Sequence, residues 1–297
     1  MRITNNLILR NSLAGLQINR AAIQQLQTQI ASGDRIATAS DDPTGASQLM
    51  SSSSSLGAID QYKRNIDSAT SRNVVEDSAF SQVTDLLTRA REITVAESTG
   101  TSTAASRQIA SKEMESIFNS VVAIGNAKLG DAYVFGGSQA TTPPFTSTGG
   151  GATLDYTTTN PTGAAAVEVS AGLSLAPTHD GTQAFISSGV LTSLRDATRA
   201  LAANDMPGIA ASLGALDASF QEVQSLSGEN GARRNTLDIT SQNLDALKVN
   251  LTSFRASIQG IDIEAAVTTL VTKQTAYQAA MAVTSRVLSL TLTDYLR

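Results

Sequence analysis

Cysteine and tryptophan are absent from these 297 residues, and histidine occurs once, as His179. Without cysteine there is no disulfide, no thiolate nucleophile and no Cys-based zinc site. A single histidine removes any His-paired metal site within one chain. Aromatic residues make up 4% of the chain and charged residues 16%, the latter well below the roughly 25% usual in soluble domains. Alanine, serine and threonine fill the difference. A core drawn from this composition is aliphatic and thin, as between long helices, and sparse surface charge suits dense packing against other copies. The net charge is −5, and no basic cluster stands out beyond Arg233-Arg234, which has no aromatic platform beside it, so nucleic-acid binding is not expected. The longest apolar run is five residues, Ala279 to Val283, against the roughly 20 a membrane helix needs. No membrane insertion is therefore expected. No apolar stretch follows Met1, so a Sec-type signal is not expected either.

What the chain has instead is one kind of apolar stripe at both ends. Leu9, Leu13, Leu16, Ile23 and Ile30 fall on one heptad seam. Ile263, Val267, Leu270, Tyr277, Met281 and Leu288 fall on another, with Gln274 and Thr284 filling its gaps. Apolar residues at alternating steps of three and four align one side of a helix with a partner helix. Little other chain is available to cover these two seams. They are therefore expected to pair with each other and to pack against neighbouring copies, as the interface of an assembly protein. Two helices with one stripe each bury too little surface to offset chain entropy alone, so the ends should order on assembly.

Between the ends the pattern is mainly helical. The first helix should run from about Asn5 to Ser32, with Gly33 in the left-handed cap position. Asp42 reads as the cap and Pro43 as the first residue of a very long helix to about Glu97, with polar slots at Asn73 and Glu76 and room for a break there. A third helix is expected over 104–129, closed by Gly130. From Asp131 to Ser188 the chain turns rich in Gly, Thr, Ala and Pro, and short alternating runs such as Val167-Glu168-Val169 read as strands. Helices resume over 188–203 and 205–225, Gly228 to Gly231 reads as a break, and a register shift at Gly260 to Ile263 reads as a joint. The expected fold is mainly α with a small β insertion: an elongated multi-helix rod whose terminal helices pair as a coiled coil. Its expected domains are 1–33 with 262–297, 34–130 with 189–261, and a variable β-rich domain, 131–188.

Catalytic readings fare poorly. Asp41-Asp42 has no third ligand nearby and reads as a helix start. Gly149-Gly150-Gly151 lacks the Gly-Lys-Ser/Thr of a phosphate loop. His179, beside Asp180-Gly181, reads as a solvated turn residue, and Arg233-Arg234 as a solvated or inter-subunit salt-bridge face. No nucleophile–base–orienter set can be assembled, so no enzyme and no cofactor are expected.

Particular segments carry a family likeness. The start is Met1-Arg2-Ile3-Thr4. Ser32-Gly33-Asp34-Arg35-Ile36 is followed by Ser40-Asp41-Asp42-Pro43, Phe135-Gly136-Gly137 by Pro143-Pro144-Phe145, and the chain closes on Ser289-Leu290-Thr291-Leu292-Thr293-Asp294-Tyr295-Leu296. With these motifs the chain resembles the flagellin superfamily, over roughly 130 residues at each end. The opening, Asp-Asp-Pro and Phe-Gly-Gly resemble its hook–filament junction members more than the filament subunit. The tail has two extra residues relative to the family's Ser-Leu-x-Asp-Tyr-Leu ending. The resemblance implies a non-enzymatic adaptor between hook-associated protein 1 and flagellin, arranged with copies of itself in a ring. It also implies export through the flagellar type III channel, with a dedicated chaperone holding the C-terminal helix, and a final place outside the cell. Filament subunit, and an enzyme hosted in 131–188, are the other readings.

Overall fold

The computed structural model describes residues 2–159, 161–163 and 166–295, with the backbone alone at 2–6, 8, 9 and 287–295. Among the described residues, six α-helices hold most of the chain: α1 (Arg2–Ser32), α2 (Pro43–Glu97), α3 (Ala104–Gly125), α4 (Val190–Ala202), α5 (Met206–Gln259) and α6 (Ile263–Tyr295). Between α3 and α4 lie three antiparallel hairpins: β1 (Lys128–Leu129) with β2 (Ala132–Tyr133), β3 (Phe145–Thr148) with β4 (Asp155–Thr158), and β5 (Val167–Ser170) with β6 (Leu173–Leu175). The fold is mainly α with a small mid-chain β region, and α1 packs along α6.

The helix boundaries follow from local chemistry. Pro43 opens α2, where its missing N–H costs nothing, and Asp42 Oδ1 accepts the Gly45 amide at 2.9 Å. Thr103 caps α3 through the Ser106 amide at 3.1 Å, and Asp262 caps α6 through the Ala265 amide at 3.1 Å. Gly33 follows α1 at φ +77°, the left-handed conformation that glycine adopts without a Cβ penalty.

Three expected boundaries are corrected. First, α3 stops at Gly125, not near Leu129. Asn126 turns out of the helix to exchange two hydrogen bonds with the Phe145 backbone, at 2.8 and 3.1 Å, and Gly130 serves the β1–β2 turn instead. Second, α2 has no break at 71–76. Third, α5 runs unbroken through Gly228 and Gly231. Those glycines lie on its exposed side, while Val223, Leu226, Asn230, Leu237, Thr240 and Leu244 keep one buried heptad seam. Each glycine costs a helix about 1 kcal/mol relative to alanine, and packing of the seam overrides that cost.

The chain divides into two compact units, Met1–Gly57 with Leu247–Arg297, and Ala58–Ala246. The division falls inside α2 and α5. In the larger unit, Phe80, Leu87, Met114, Phe118, Leu191, Leu194, Leu216 and Val223 form one aliphatic-aromatic core. Phe135, Phe145, Leu154 and Phe185 from the mid-chain segment belong to that same core, so this part of the β region shares the helices' interior. The Phe135 and Phe185 rings meet edge-on at 4.9 Å between centroids. Phe135-Gly136-Gly137 explains itself sterically: a Cβ on Gly136 would lie 2.9 Å from Ala140 Cα, and Gly137 has φ +56° with its Cβ direction 2.7 Å from Thr162 O.

Candidate functional site

The terminal unit pairs α1 with α6. On α6 the covered side runs Ala266, Leu270, Lys273, Tyr277, Ala280 and Thr284. On α1 it runs Ser12, Leu16, Asn19, Ile23, Leu26 and Ile30. Of the seam residues expected from sequence, Leu16, Ile23, Ile30, Leu270 and Tyr277 are half-buried in this pair. Leu13, Ile263, Val267 and Met281 point outward, 41–56% exposed. Small Ala266 and Ala280 take the inner positions and leave the larger Val267 and Met281 outside. Leu9 and Leu288 lie outside the described side chains.

The consequence is an apolar outer surface. Among the described residues, twelve of the eighteen exposed large hydrophobic side chains belong to this smaller unit. They include Leu7, Leu13 and Ile18 on α1, Leu247 and Phe254 on α5, and Val267, Val271 and Met281 on α6.

The motif Ser32-Gly33-Asp34-Arg35-Ile36 with Asp41-Asp42-Pro43 forms a joint between the two ends of the chain. Asp34 and Gly260 make a β-bridge, with the Arg35 amide donating to Gln259 O at 2.7 Å and the Ile261 amide to Gly33 O at 3.1 Å. Arg35 forks across it: Nη2 donates to Ile258 O at 3.0 Å, and Nη1 to Asp42 Oδ2 at 3.2 Å. Asp41 Oδ2 accepts the amides of Thr38 and Ala37 at 2.8 and 3.1 Å, and its other oxygen accepts from Gln25 at 2.9 Å. These bonds, the one from Thr38 foremost, hold the Asp41 carboxyl below the usual carboxylate range, and the Gly45 amide and then Arg35 do the same for Asp42. The Ser32 hydroxyl accepts the Asp34 amide at 3.2 Å. Ile36 is buried against Gly45, where a Cβ would come within 2.5 Å of its Cδ1. The residues thus read as a family signature are a hydrogen-bonded turn.

His179 is a correction. It is 2% exposed, not solvated, and its ring nitrogens lie 2.9 Å from Glu76 Oε1 and 3.1 Å from Glu229 Oε2. Arg233 pairs with Glu229 at 3.9 Å and sits mid-helix in α5. One turn away Asn73 and Asn230 bond reciprocally across α2 and α5, with Asn230 Nδ2 donating to Asn73 O at 3.1 Å. The two polar slots in the α2 seam, Asn73 and Glu76, were the sequence signal for this layer.

The model of the bacterial flagellin N-terminal helical region matches residues 3–140, and that of the C-terminal helical region matches residues 213–296. The chain belongs to the flagellin superfamily. As a flagellin-superfamily chain it is similar to flagellar hook-associated protein 3 of Salmonella typhimurium, 28% identical over 152 residues, which is 51% of this chain and 48% of that protein. It is similar also to flagellar hook-associated protein 3 of Escherichia coli, 27% identical over 146 residues, 49% of this chain and 46% of that one. The chain therefore spans about half the length of these curated relatives. Two solved structures share the fold. One is a putative flagellar hook-associated protein from Vibrio parahaemolyticus, with TM-score 0.64 and 20% identity, covering 74% of this chain and all of that one. The other is Bacillus cereus FlgL, with TM-score 0.58 and 21% identity, covering 69% and 99%. No helix among the described residues is long and apolar enough to cross a membrane.

Proposed function

We propose that this chain is a non-enzymatic adaptor of the bacterial flagellum, joining the hook, through hook-associated protein 1, to the flagellin filament. Copies of the chain would form one ring between the two. The observation that carries the reading is the concentration of uncovered apolar side chains on the paired ends, in a chain similar to proteins named for the hook. In this account Leu16, Ile23, Ile30, Leu270 and Tyr277 hold α1 to α6, while Leu13, Ile263, Val267 and Met281 meet neighbouring subunits. Residues 1–33 with 262–297 then form a separable assembly module, 34–130 with 189–261 the helical body, and 131–188 the variable part. The chain would leave the cell through the flagellar type III apparatus, with a chaperone covering α6 beforehand, and act outside it.

Fully burying one leucine or valine contributes roughly 1.5–3 kcal/mol; Leu13, Ile263, Val267 and Met281 are 41–56% exposed, so covering what remains of all four contributes about 3–6 kcal/mol per subunit toward the cost of association. Deletion of residues 1–30 tests the reading. The shortened protein should keep a cooperatively melting core and fail to join hook to filament in a null strain. Restored motility with the shortened protein would refute it. The matched models carry the flagellin name, which keeps a filament subunit as the second reading. Purified chain that grows long filaments unaided would favour that subunit.

A further inference from the structure

We propose that His179 is a proton-dependent latch, holding the segment between β6 and α4 onto α2 and α5 most firmly while its imidazole carries both protons. The geometry requires two donors. Nδ1 lies 2.9 Å from Glu76 Oε1 and Nε2 lies 3.1 Å from Glu229 Oε2, so each ring nitrogen faces a carboxylate oxygen. A neutral imidazole has one N–H and one lone pair, and the lone pair would then point at a carboxylate. Both contacts are hydrogen bonds only in the imidazolium. The backbone strengthens the attachment: the His179 amide also donates to Glu76 Oε1, at 2.8 Å.

The charged groups facing the ring are Glu76 from α2 and Glu229 and Arg233 from α5. On its own segment, Asp180 is occupied by the amides of Gly163 and Gln183, at 3.1 and 2.8 Å. With the ring protonated, two carboxylates face two cations. Without that proton they face one, and Glu76 is 0% exposed. Glu76 Oε2 and Arg233 Nη1 are buried without a hydrogen-bond partner among the described residues. A buried charge stripped of its partner is strongly destabilising. The Phe80 ring, 5.9 Å from the imidazole, closes one side, whereas Glu229 is 60% exposed and gives the proton a route to solvent.

Burial is the largest single influence on the ring and favours its neutral form. The bonds to Glu76 and Glu229 and the charge of Glu76 together outweigh it and raise the pKa above the ordinary 6.5. A raised pKa places the stabilisation below 6.5, and it is lost as pH climbs through the folded value. The latch therefore holds below 6.5 and loosens as pH rises through the ring's folded value.

Because the sequence has one histidine, its imidazole NMR resonances can be followed in the full chain without ambiguity. The ring should titrate above 6.5 with both nitrogens protonated below the midpoint, and amide exchange around 178–181 should accelerate across the same pH range. His179→Gln should flatten the pH dependence of melting over that range. Glu229→Gln, at an exposed position, should keep the fold and move the midpoint down. A midpoint at or below 6.5 would overturn the proposal, as would wild-type pH dependence in His179→Gln. Should His179→Gln fail to fold, an unmoved midpoint in Glu229→Gln would overturn it instead.

Discussion

Arg35→Ala should open the joint between the chain's two ends without touching the larger unit. Arg35 makes two contacts in the terminal unit: a charge-assisted hydrogen bond to Ile258 O at 3.0 Å and an ion pair with Asp42 at 3.2 Å. Its side chain is 48% exposed and that of Asp42 31%, so solvent competes at both. The ion pair is then worth about 0–1 kcal/mol. A hydrogen bond to a charged group reaches roughly 1.5–3 kcal/mol when shielded, and about 1 kcal/mol is the fitting figure at this exposure. Together the loss is about 1–2 kcal/mol, a factor of roughly 5–30 in the opening equilibrium. Hydrogen exchange of the Ile261 amide reads it directly, because that amide donates to Gly33 O across the joint. It should exchange roughly 5–30-fold faster, while amides of α3 and α4 keep their protection. Arg35→Lys should recover only part, since an ammonium cannot fork to two acceptors as a guanidinium does. Unchanged exchange at Ile261 would show that the backbone bridge holds the joint alone.

Other substitutions separate the roles of the two units. Leu194→Ala removes a side chain that is 0% exposed in the larger unit's core. It should cost about 2–5 kcal/mol and lower that unit's melting temperature by roughly 5–15 °C. Val267→Asp and Met281→Asp alter outward-facing positions and should leave monomer melting unchanged while blocking assembly, whereas Leu270→Asp, half-buried against α1, should also fray the terminal pair. Because the Asp41 and Asp42 carboxyls are depressed below 3.8, their support of the joint is complete above that pH. It is lost as pH falls through their folded values. Exchange at the Ala37 and Thr38 amides in acid should rise accordingly, and acid-insensitive protection there would show that Asp41 does not hold the turn.

How much of this was legible depended on distance along the chain. Asp42-Pro43 and Gly33 marked helix ends because capping acts over three or four residues, and the structure places both as read. Gly228 and Gly231 misled because propensity says nothing about which side of a helix they occupy. In the end seams Val267 and Met281 face outward because the smaller Ala266 and Ala280 take the inner positions and let the helices approach. His179 was misread for a different reason: Glu76 and Glu229 meet it from positions 103 and 50 residues away. Only the polar slots at Asn73 and Glu76 hinted at it.

Electron cryomicroscopy of native flagella carrying a small tag on this chain tests the central claim most directly. The account predicts density confined to a single ring where hook meets filament, with α1 and α6 packed against neighbouring subunits through Leu13, Val267 and Met281. Density repeating along the filament, or absent from the hook–filament boundary, would contradict it.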